Sequence, residues 1–404
     1  MQMKRTVFSL FCLLCVCTIF LTGCWDQREL NKIALVMAIG LDKTKGKEEY
    51  RVSYEVVNPT EISGKTGTGR TTPVTVYNSS GSTVFEALRN AAEETPRQLM
   101  ISHINIIVIG EDLAKEGIHG ILDFFERDDE GRLTSNLLIA KDAKAEEVLK
   151  TLTPIEKVPA FAIKGKLDTM VKKLSKGYDI ELDEVIRGAL RKGGGPAISG
   201  VQLIEHAESG LKESNIKSTT PATIIKISGL AMFKHGKLVG WLNGETARGA
   251  AVINNKLRGS AVSIGCKQKK RGLSIEVRSS KTKIKASSRD RIPTIQLFVK
   301  QEGSVGHILC AIDLKKSKEI RKLEKKWAKE TKKEVENAIS QAQRNHTDIF
   351  GFGEALERTN KQEWKKIEKN WSNIFAKSKV EVHVETRIRR PGMRSIPYLF
   401  SETE

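Results

Sequence analysis

After residue 24 the chain has no apolar run long enough to cross a bilayer as a helix, which takes about 20 consecutive apolar residues. The body of the protein is therefore expected to sit outside the membrane. Cysteine is scarce, with six in 404 residues, and Cys12, Cys15 and Cys17 crowd into the first 23. What remains is Cys24 and the distant pair Cys266 and Cys310, too few for a disulfide-built scaffold. The pair reads either as a disulfide or as two buried thiols on neighbouring strands, and spacing does not decide between them.

Signatures of chemistry are also missing. The seven histidines at 103, 119, 206, 235, 307, 346 and 383 are scattered and form no His-Glu-x-x-His pair. No Cys-x-x-Cys lies beyond Cys24, and there is no Gly-x-Ser-x-Gly elbow. "GKT" at 64–66 invites a phosphate-loop reading, but position 59, where that motif needs glycine, is Pro59. The cluster Asp128-Asp129-Glu130-Gly131 has the wrong spacing for a calcium loop and reads as a solvated helix end or turn. The expectation is a protein without catalytic residues, metal or cofactor.

The start of the chain does carry a pattern. Lys4 and Arg5 precede "TVFSLFCLLCVCTIFL" at 6–21, and Thr22 and Gly23 place small residues before Cys24. A basic region, an apolar stretch and a small-residue step describe a secretory signal. "LTGC" at 21–24 resembles a bacterial lipobox, whose cysteine sulfur receives a diacylglyceryl group before the leader is cut away; the freed amino group is a further acylation site. Thr22 departs slightly from the pattern. The alternative is an uncleaved anchor with an incidental cysteine, but charge, length, small residues and cysteine agree on the lipobox. Residues 1–23 are thus the expected leader and Cys24 the lipidation site, with Trp25 placed to rest among headgroups. Two acyl chains hold a protein on a membrane stably where one does not.

Cleavage would leave 381 residues. Two of 68 basic residues and none of 49 acidic ones go with the leader, so the net charge falls from +19 to +17. That excess suits an anionic membrane surface or wall polymer. Nucleic acid is set aside by export and by the lack of any recognition motif. The plainest reading is a solubilising charge spread over a large body.

Along the chain, "IALVMAIGLD" at 33–42 and "YRVSYEVVN" at 50–58 read as paired strands. The Gly- and Thr-rich stretch 60–70 reads as a loop, and "TTPVTVY" as an edge strand. A helix follows, capped near Ser82. Then come a strand at 103–110, a helix at 112–125, a strand through "SNLLIAKD" and a helix at 143–149. This alternation predicts an α/β sheet in the first half. "RKGGGPAISG" at 191–200 marks a domain boundary. Beyond it are short strands, a helix capped by Asn243 and running to Asn254, and more β-like sequence. A long helix spans 316–346, with Ile320, Leu323, Trp327, Val335, Ile339 and Ala342 on one stripe. A second begins near Gly353 and carries Trp364 and Trp371. "VEVHVETRIRR" alternates as a final strand. The three helical tryptophans read as core packing beneath snorkelling lysines, in preference to an exposed groove.

Several blocks recur together in one family. "GCWDQREL" at 23–30, "SHINIIVIGEDLAKEGI" with "LDFFERDDEGR", "GWLNGETARG" at 240–249, "DIFGFGEALER" at 348–358 and "KNWSNIF" at 369–375 resemble, in order, the Ger(x)C family. These are the C-subunit lipoproteins of bacterial spore nutrient-germinant receptors. The resemblance implies a non-enzymatic lipoprotein on the outer face of the inner spore membrane, working with two integral membrane subunits of A and B type in nutrient-triggered germination. It also implies acylation at Cys24. Trp241, Glu245, Arg248, Gly249, Phe350, Gly351, Gly353 and Glu354 match its patterns and are candidates for interaction or for structure, the structural role being a turn, a cap or a salt bridge.

The expected architecture is mixed α+β and multidomain. An N-terminal α/β domain spans 24–197, a small middle domain 198–265, and a C-terminal domain 266–404 packs long helices on a mostly antiparallel sheet. The competing class is an extracytoplasmic solute-binding or wall-associated lipoprotein. It would need two similar lobes around a cleft, or paired carboxylates, and the pattern offers neither.

Overall fold

The computed structural model describes residues 30–44, 46–59, 72–205, 207–266, 269–289, 292–390 and 392, together with 6–8 and 11. Cys24, Trp25 and the loop expected at 60–70 lie outside the described residues.

The described residues build two sheets. The first contains β1 (Ile33–Lys43), β2 (Tyr50–Val57), β3 (Val74–Gly81), β4 (Gln98–Met100), β5 (Ile106–Gly110), β6 (Asn136–Ala140), β7 (Ala197–Glu205), β8 (Thr223–Lys234) and β9 (Lys237–Leu242). Their order is β3-β2-β1-β5-β6-β7-β8-β9, with β4 beside the start of β1. The centre, β1, β5, β6 and β7, is parallel. Both flanks are antiparallel, and β3 is the edge strand its proline suggested. Every residue of β5 and β6 is buried, which is why "IIVIG" and "NLLIA" read as unbroken apolar runs rather than alternations.

Helices cover both faces. On one side lie α1 (Val84–Asn90), α2 (Glu111–Glu116) and α3 (His119–Arg127). On the other, α4 (Ala145–Lys150) and α5 (Pro159–Lys173) close a separate core around Ala38, Val108, Leu138, Leu149 and Ile163. The single helix expected at 112–125 is two, because Gly117, at φ +146°, breaks it. The first cap is Thr83, not Ser82: Thr83 Oγ1 accepts the Glu86 N–H at 3.0 Å, while the Ser82 N–H donates back to Glu86 Oε2 at 2.8 Å. Helices α5 and α6 (Leu182–Ala189) had no sequence signal as clear; α5 opens on Pro159 at its first position, where the missing N–H costs nothing.

Next come α7 (Gly244–Ile253) and the second sheet, β10 (Ser260–Cys266), β11 (Lys269–Arg289), β12 (Ile292–Ile308) and β13 (Lys379–Arg390). The order is β10-β11-β12-β13, antiparallel except for the parallel β12–β13 pair. Between β12 and β13 run α8 (Ser317–Arg344), α9 (Phe352–Thr359), α10 (Lys361–Ile367) and α11 (Trp371–Lys377). The helix expected from Gly353 is therefore three; Asn360 Oδ1 accepts the Glu363 N–H at 3.1 Å and starts α10 anew. Trp327, Trp364 and Trp371 are buried, as core residues should be.

Cys266 and Cys310 form a disulfide, with Cα atoms 6.3 Å apart. Gly272 on β11 passes between them: a Cβ there would stand 2.4 Å from Cys266 Sγ and 2.7 Å from Cys310 Sγ.

The structure parts from the expected segments at 198–265. Strands β7, β8 and β9 belong to the first sheet, so the expected cut at 197/198 falls at the start of β7. The glycines at the expected domain boundary form a close-packed crossing. A Cβ on Gly195 would lie 1.9 Å from the Phe233 carbonyl oxygen, and Gly193, at φ +70°, backs onto Trp371. One apolar core runs from Ile39, Tyr54 and Ile107 of the first sheet through Ala250 and Val252 of α7 to Ile275 and Leu297 of the second.

Glu55 is the anomaly of the first sheet. It is wholly buried; Oε1 accepts the Ala160 N–H at the start of α5 at 3.1 Å, and Oε2 has no partner. Burial pushes its carboxyl from 4.5 up to about 8, against the pull of the Ala160 N–H. The folded protein thus keeps a proton that the unfolded chain has lost above 4.5, and stability falls as pH rises from about 5 to about 8. Glu55→Gln, which copies the protonated acid, should flatten that decline. Melting curves at pH 5 and pH 8 should show the variant more stable at pH 8 by about 3 kcal/mol and little changed at pH 5.

Candidate functional site at the meeting of the two sheets

The two sequence blocks richest in candidate residues sit on either side of the same junction. In "GWLNGETARG", β9 delivers Trp241 and α7 follows at once. The Trp241 indole N–H donates to Glu111 Oε1 at 3.3 Å, Lys141 Nζ stands 5.2 Å from the ring centre, and the Trp241 carbonyl accepts Gln341 Nε2 of α8 at 2.8 Å. Asn243 holds the cap position as expected. Its N–H donates to Thr246 Oγ1 at 3.0 Å, while its side-chain oxygen receives Lys141 Nζ at 3.0 Å.

One turn further, Arg248 reaches Glu334 of α8. Nε donates to Glu334 Oε2 at 2.8 Å, Nη2 meets Oε1, and Nη1 donates to the Ala261 carbonyl at 2.9 Å. Both side chains are under one-tenth exposed, at 7% and 6%. Burial raises the Glu334 pKa, and the Arg248 guanidinium opposes that rise. Gly249 makes the approach possible: a Cβ there would lie 2.2 Å from the Glu334 carbonyl oxygen. Glu245 takes no part. Its side chain is 58% exposed and pairs with Arg271 at 3.3 Å.

In "DIFGFGEALER" the organising group is Asp348, which is 2% exposed. Its Oδ1 accepts the N–H groups of Phe350 at 3.1 Å and Gly351 at 3.0 Å; its Oδ2 accepts Gly353 N–H at 2.8 Å and the Trp371 indole N–H at 3.0 Å. Gly351 sits at φ +76°, and Gly353 leaves room for the edge-on pair Trp364 and Trp371, whose centroids are 5.3 Å apart. Phe350 and Phe352 are buried beside them. Asp348 also pairs with Gly194 as a parallel bridge, tying the glycine crossing to this loop. Glu354 is half exposed and lies 3.6 Å from Arg191.

Of the eight candidates, then, Glu245 and Glu354 face solvent, Trp241 is half-buried, and the other five are packing or pairing residues at the junction. The structure does not bring the two exposed acids into one site. Two residues that organise the junction, Glu334 and Asp348, were not singled out in the sequence. Glu334 had a usable signal: it is a carboxylate on the apolar stripe of α8, between Thr331 and Val335. Clefts of about 220 Å³ and 200 Å³ flank Arg191 here, both smaller than the roughly 300 Å³ at which small-molecule sites begin. The turn at 128–131 is closed by Asp128 Oδ1, which accepts the Glu130 and Gly131 N–H groups at 2.9 and 3.0 Å. Among the described residues no three His, Cys, Asp or Glu side chains gather as a metal site, and no described helix is long and apolar enough to cross a membrane.

These features define a mixed α+β body in which five of the eight motif candidates, together with Glu334 and Asp348, join two sheets. Comparison with known families identifies it. Residues 26–203 match the spore germination protein N-terminal domain and 228–392 the spore germination B3/GerAC-like C-terminal domain. The chain belongs to this family of spore germination proteins. It is similar to spore germination protein KC of Bacillus subtilis, 32% identical over 98% of each chain. Spore germination protein GerQC of Bacillus cereus is 21% identical over 97% of this chain and 99% of its own. The crystal structure of the GerBC protein shares the fold, with a TM-score of 0.55 and 19% identity over 90% of this chain and all of that one.

Removing one member of the buried pair should cost more than removing both. Arg248→Met leaves Glu334 buried and unpaired, with an expected loss of about 3–5 kcal/mol; Arg248→Met with Glu334→Leu should recover most of it in denaturant titrations. Asp348→Asn keeps one acceptor oxygen and turns an amide donor toward N–H groups. A loss of about 2–4 kcal/mol and a weakened near-ultraviolet tryptophan signal are expected.

Proposed function

We propose that this protein is the membrane-tethered, non-catalytic subunit of a spore nutrient-receptor complex. The observation that carries the reading is the family match, which runs through both halves of the chain and includes every motif block apart from residues 23–25 of the first. The relatives are named as spore germination proteins, and this chain spans nearly their whole length. A body whose helical layer is fixed by the buried Arg248–Glu334 pair is suited to transmitting or bracing, and most of its motif residues are committed to packing and pairing.

The finer parts of the proposal rest on the leader and the family resemblance. The "LTGC" step makes Cys24 the acylated first residue of the mature chain. Two integral membrane subunits, of A and B type, are its partners, and the outer face of the inner spore membrane is its place. The membrane need not be entered by the body itself, because two acyl chains suffice to hold it there.

Replacing Cys24 tests the tether directly. Cys24→Ala should shift the protein from the membrane to the soluble fraction of spores and depress nutrient-triggered germination, while germination by agents that bypass receptors stays normal. A variant that stays membrane-bound and responds normally to nutrients overturns the proposal.

A further inference from the structure

The positive charge of this protein is not spread evenly. Helix α8 carries nine basic side chains, all exposed, on the side turned from the core. Three are engaged: Lys322 with Glu319 at 2.7 Å, Lys332 with Glu336 at 3.7 Å, and Lys326 with the Gly265 carbonyl at 3.0 Å. Of the other six, Arg344 stands apart in the last turn, and Lys318, Arg321, Lys325, Lys329 and Lys333 make no ion pair within 4.0 Å among the described residues, Lys318 acting on Glu319 only from a greater distance. At 3.6 residues per turn these five fall within an arc of about 120°, spread over about 22 Å of helix. The opposite side is fully used, with Leu323, Trp327, Val335 and Ile339 in the core.

We infer that this stripe is a docking surface for the anionic headgroups of the membrane to which the chain is tethered. The inference rests on the lipid-anchored reading and adds to it which side of the body faces the bilayer. Charge complementarity selects the partner class, and the residue chemistry selects within it. Four of the five cations in this stripe are lysines, compact hydrated charges on flexible stems that suit fluid headgroups; arginine is the residue of fixed bidentate pairs, and lysine is depleted from protein interfaces. Because the apolar side of α8 is buried, the helix has nothing to insert and makes only a peripheral contact, attracted within a Debye length. A second basic row, Lys281, Lys283 and Lys285 of β11, lies on the opposite face of the second sheet. Its inward neighbours Ile284 and Ala286 pack on the core, whereas Lys285 stands over Phe298 on the outer face. The two rows therefore do not meet one planar membrane together, and the β11 row serves as an internal control.

The test uses the full lipidated protein, reconstituted on vesicles of phosphatidylcholine alone or mixed with phosphatidylglycerol. Lysines are modified with an amine-reactive reagent and quantified by mass spectrometry. Lys318, Lys325, Lys329 and Lys333 should label severalfold less on the anionic vesicles, with protection lost in high salt, while Lys281, Lys283 and Lys285 label equally on both. In Lys325→Glu/Lys329→Glu/Lys333→Glu, protection of Lys318 should vanish with the fold unchanged by circular dichroism. Equal labelling of α8 on both vesicles overturns the inference, as does protection of the β11 row instead. Protection that appears only when other receptor subunits are present assigns the stripe to a protein and also overturns it. Failure of the protein to float with either vesicle would instead refute the tether, a distinct outcome.

Discussion

Helix α8 has to be held in one rotation about its axis, since half of its surface is charge and half is core, and the crossing with α7 holds it there. Gly249 removes the side chain that would keep the helices apart, and the backbones close to a distance at which Arg248 and Glu334 meet without water. A buried pair of this kind contributes modest net stability, because desolvating both ions offsets much of their attraction. What it fixes is geometry. Any rotation of α8 separates two charges in a medium that solvates neither, so alternative packings are penalised steeply. The position of the second sheet follows, because α8 lies against β10 and β13 and its Thr331 donates to Gln301 of β12.

Asp348 performs the matching task at the other end of the helical layer. Four directed N–H groups replace water around one carboxylate, so the loop after α8 has a single low-energy shape. Gly193 of the first half presses against Trp371 and Gly194 against that loop, while Gly195 backs onto Phe233 of β8. Two carboxylates and a handful of glycines thus lock together segments far apart in the chain. This accounts for the glycines and for Asp348 of the motif blocks.

Much of this architecture was legible in the residues. Buried strands such as "IIVIG" and the long stripe of α8 announce themselves because burial repeats over many residues, and Asn243 marks a helix start by local chemistry. The glycine run misled for a definite reason: composition is the same whether glycine frees a linker or permits three segments to touch. Nothing local to Arg248 points to Glu334, which lies 86 residues away. Glu55 was hidden by an alternating strand, "YRVSYEVV", in which a glutamate ordinarily marks the wet face. The sheet membership of β7, β8 and β9 depends on which edge they join, and that is decided by long-range packing.

The parallel return of β13 to β12 carries a consequence for how the chain is assembled. Parallel neighbours need a crossover, and here it is the whole helical layer from Ser317 to Lys377. As residues emerge in order, the first sheet can complete once β9 is available, whereas β12 waits with an open edge until the last dozen described strand residues arrive. Such long-range pairing is slow to form. On that wait the disulfide ties Cys310, just beyond the end of β12, to Cys266 at the end of β10, so the strand's far end is held while its edge stays open.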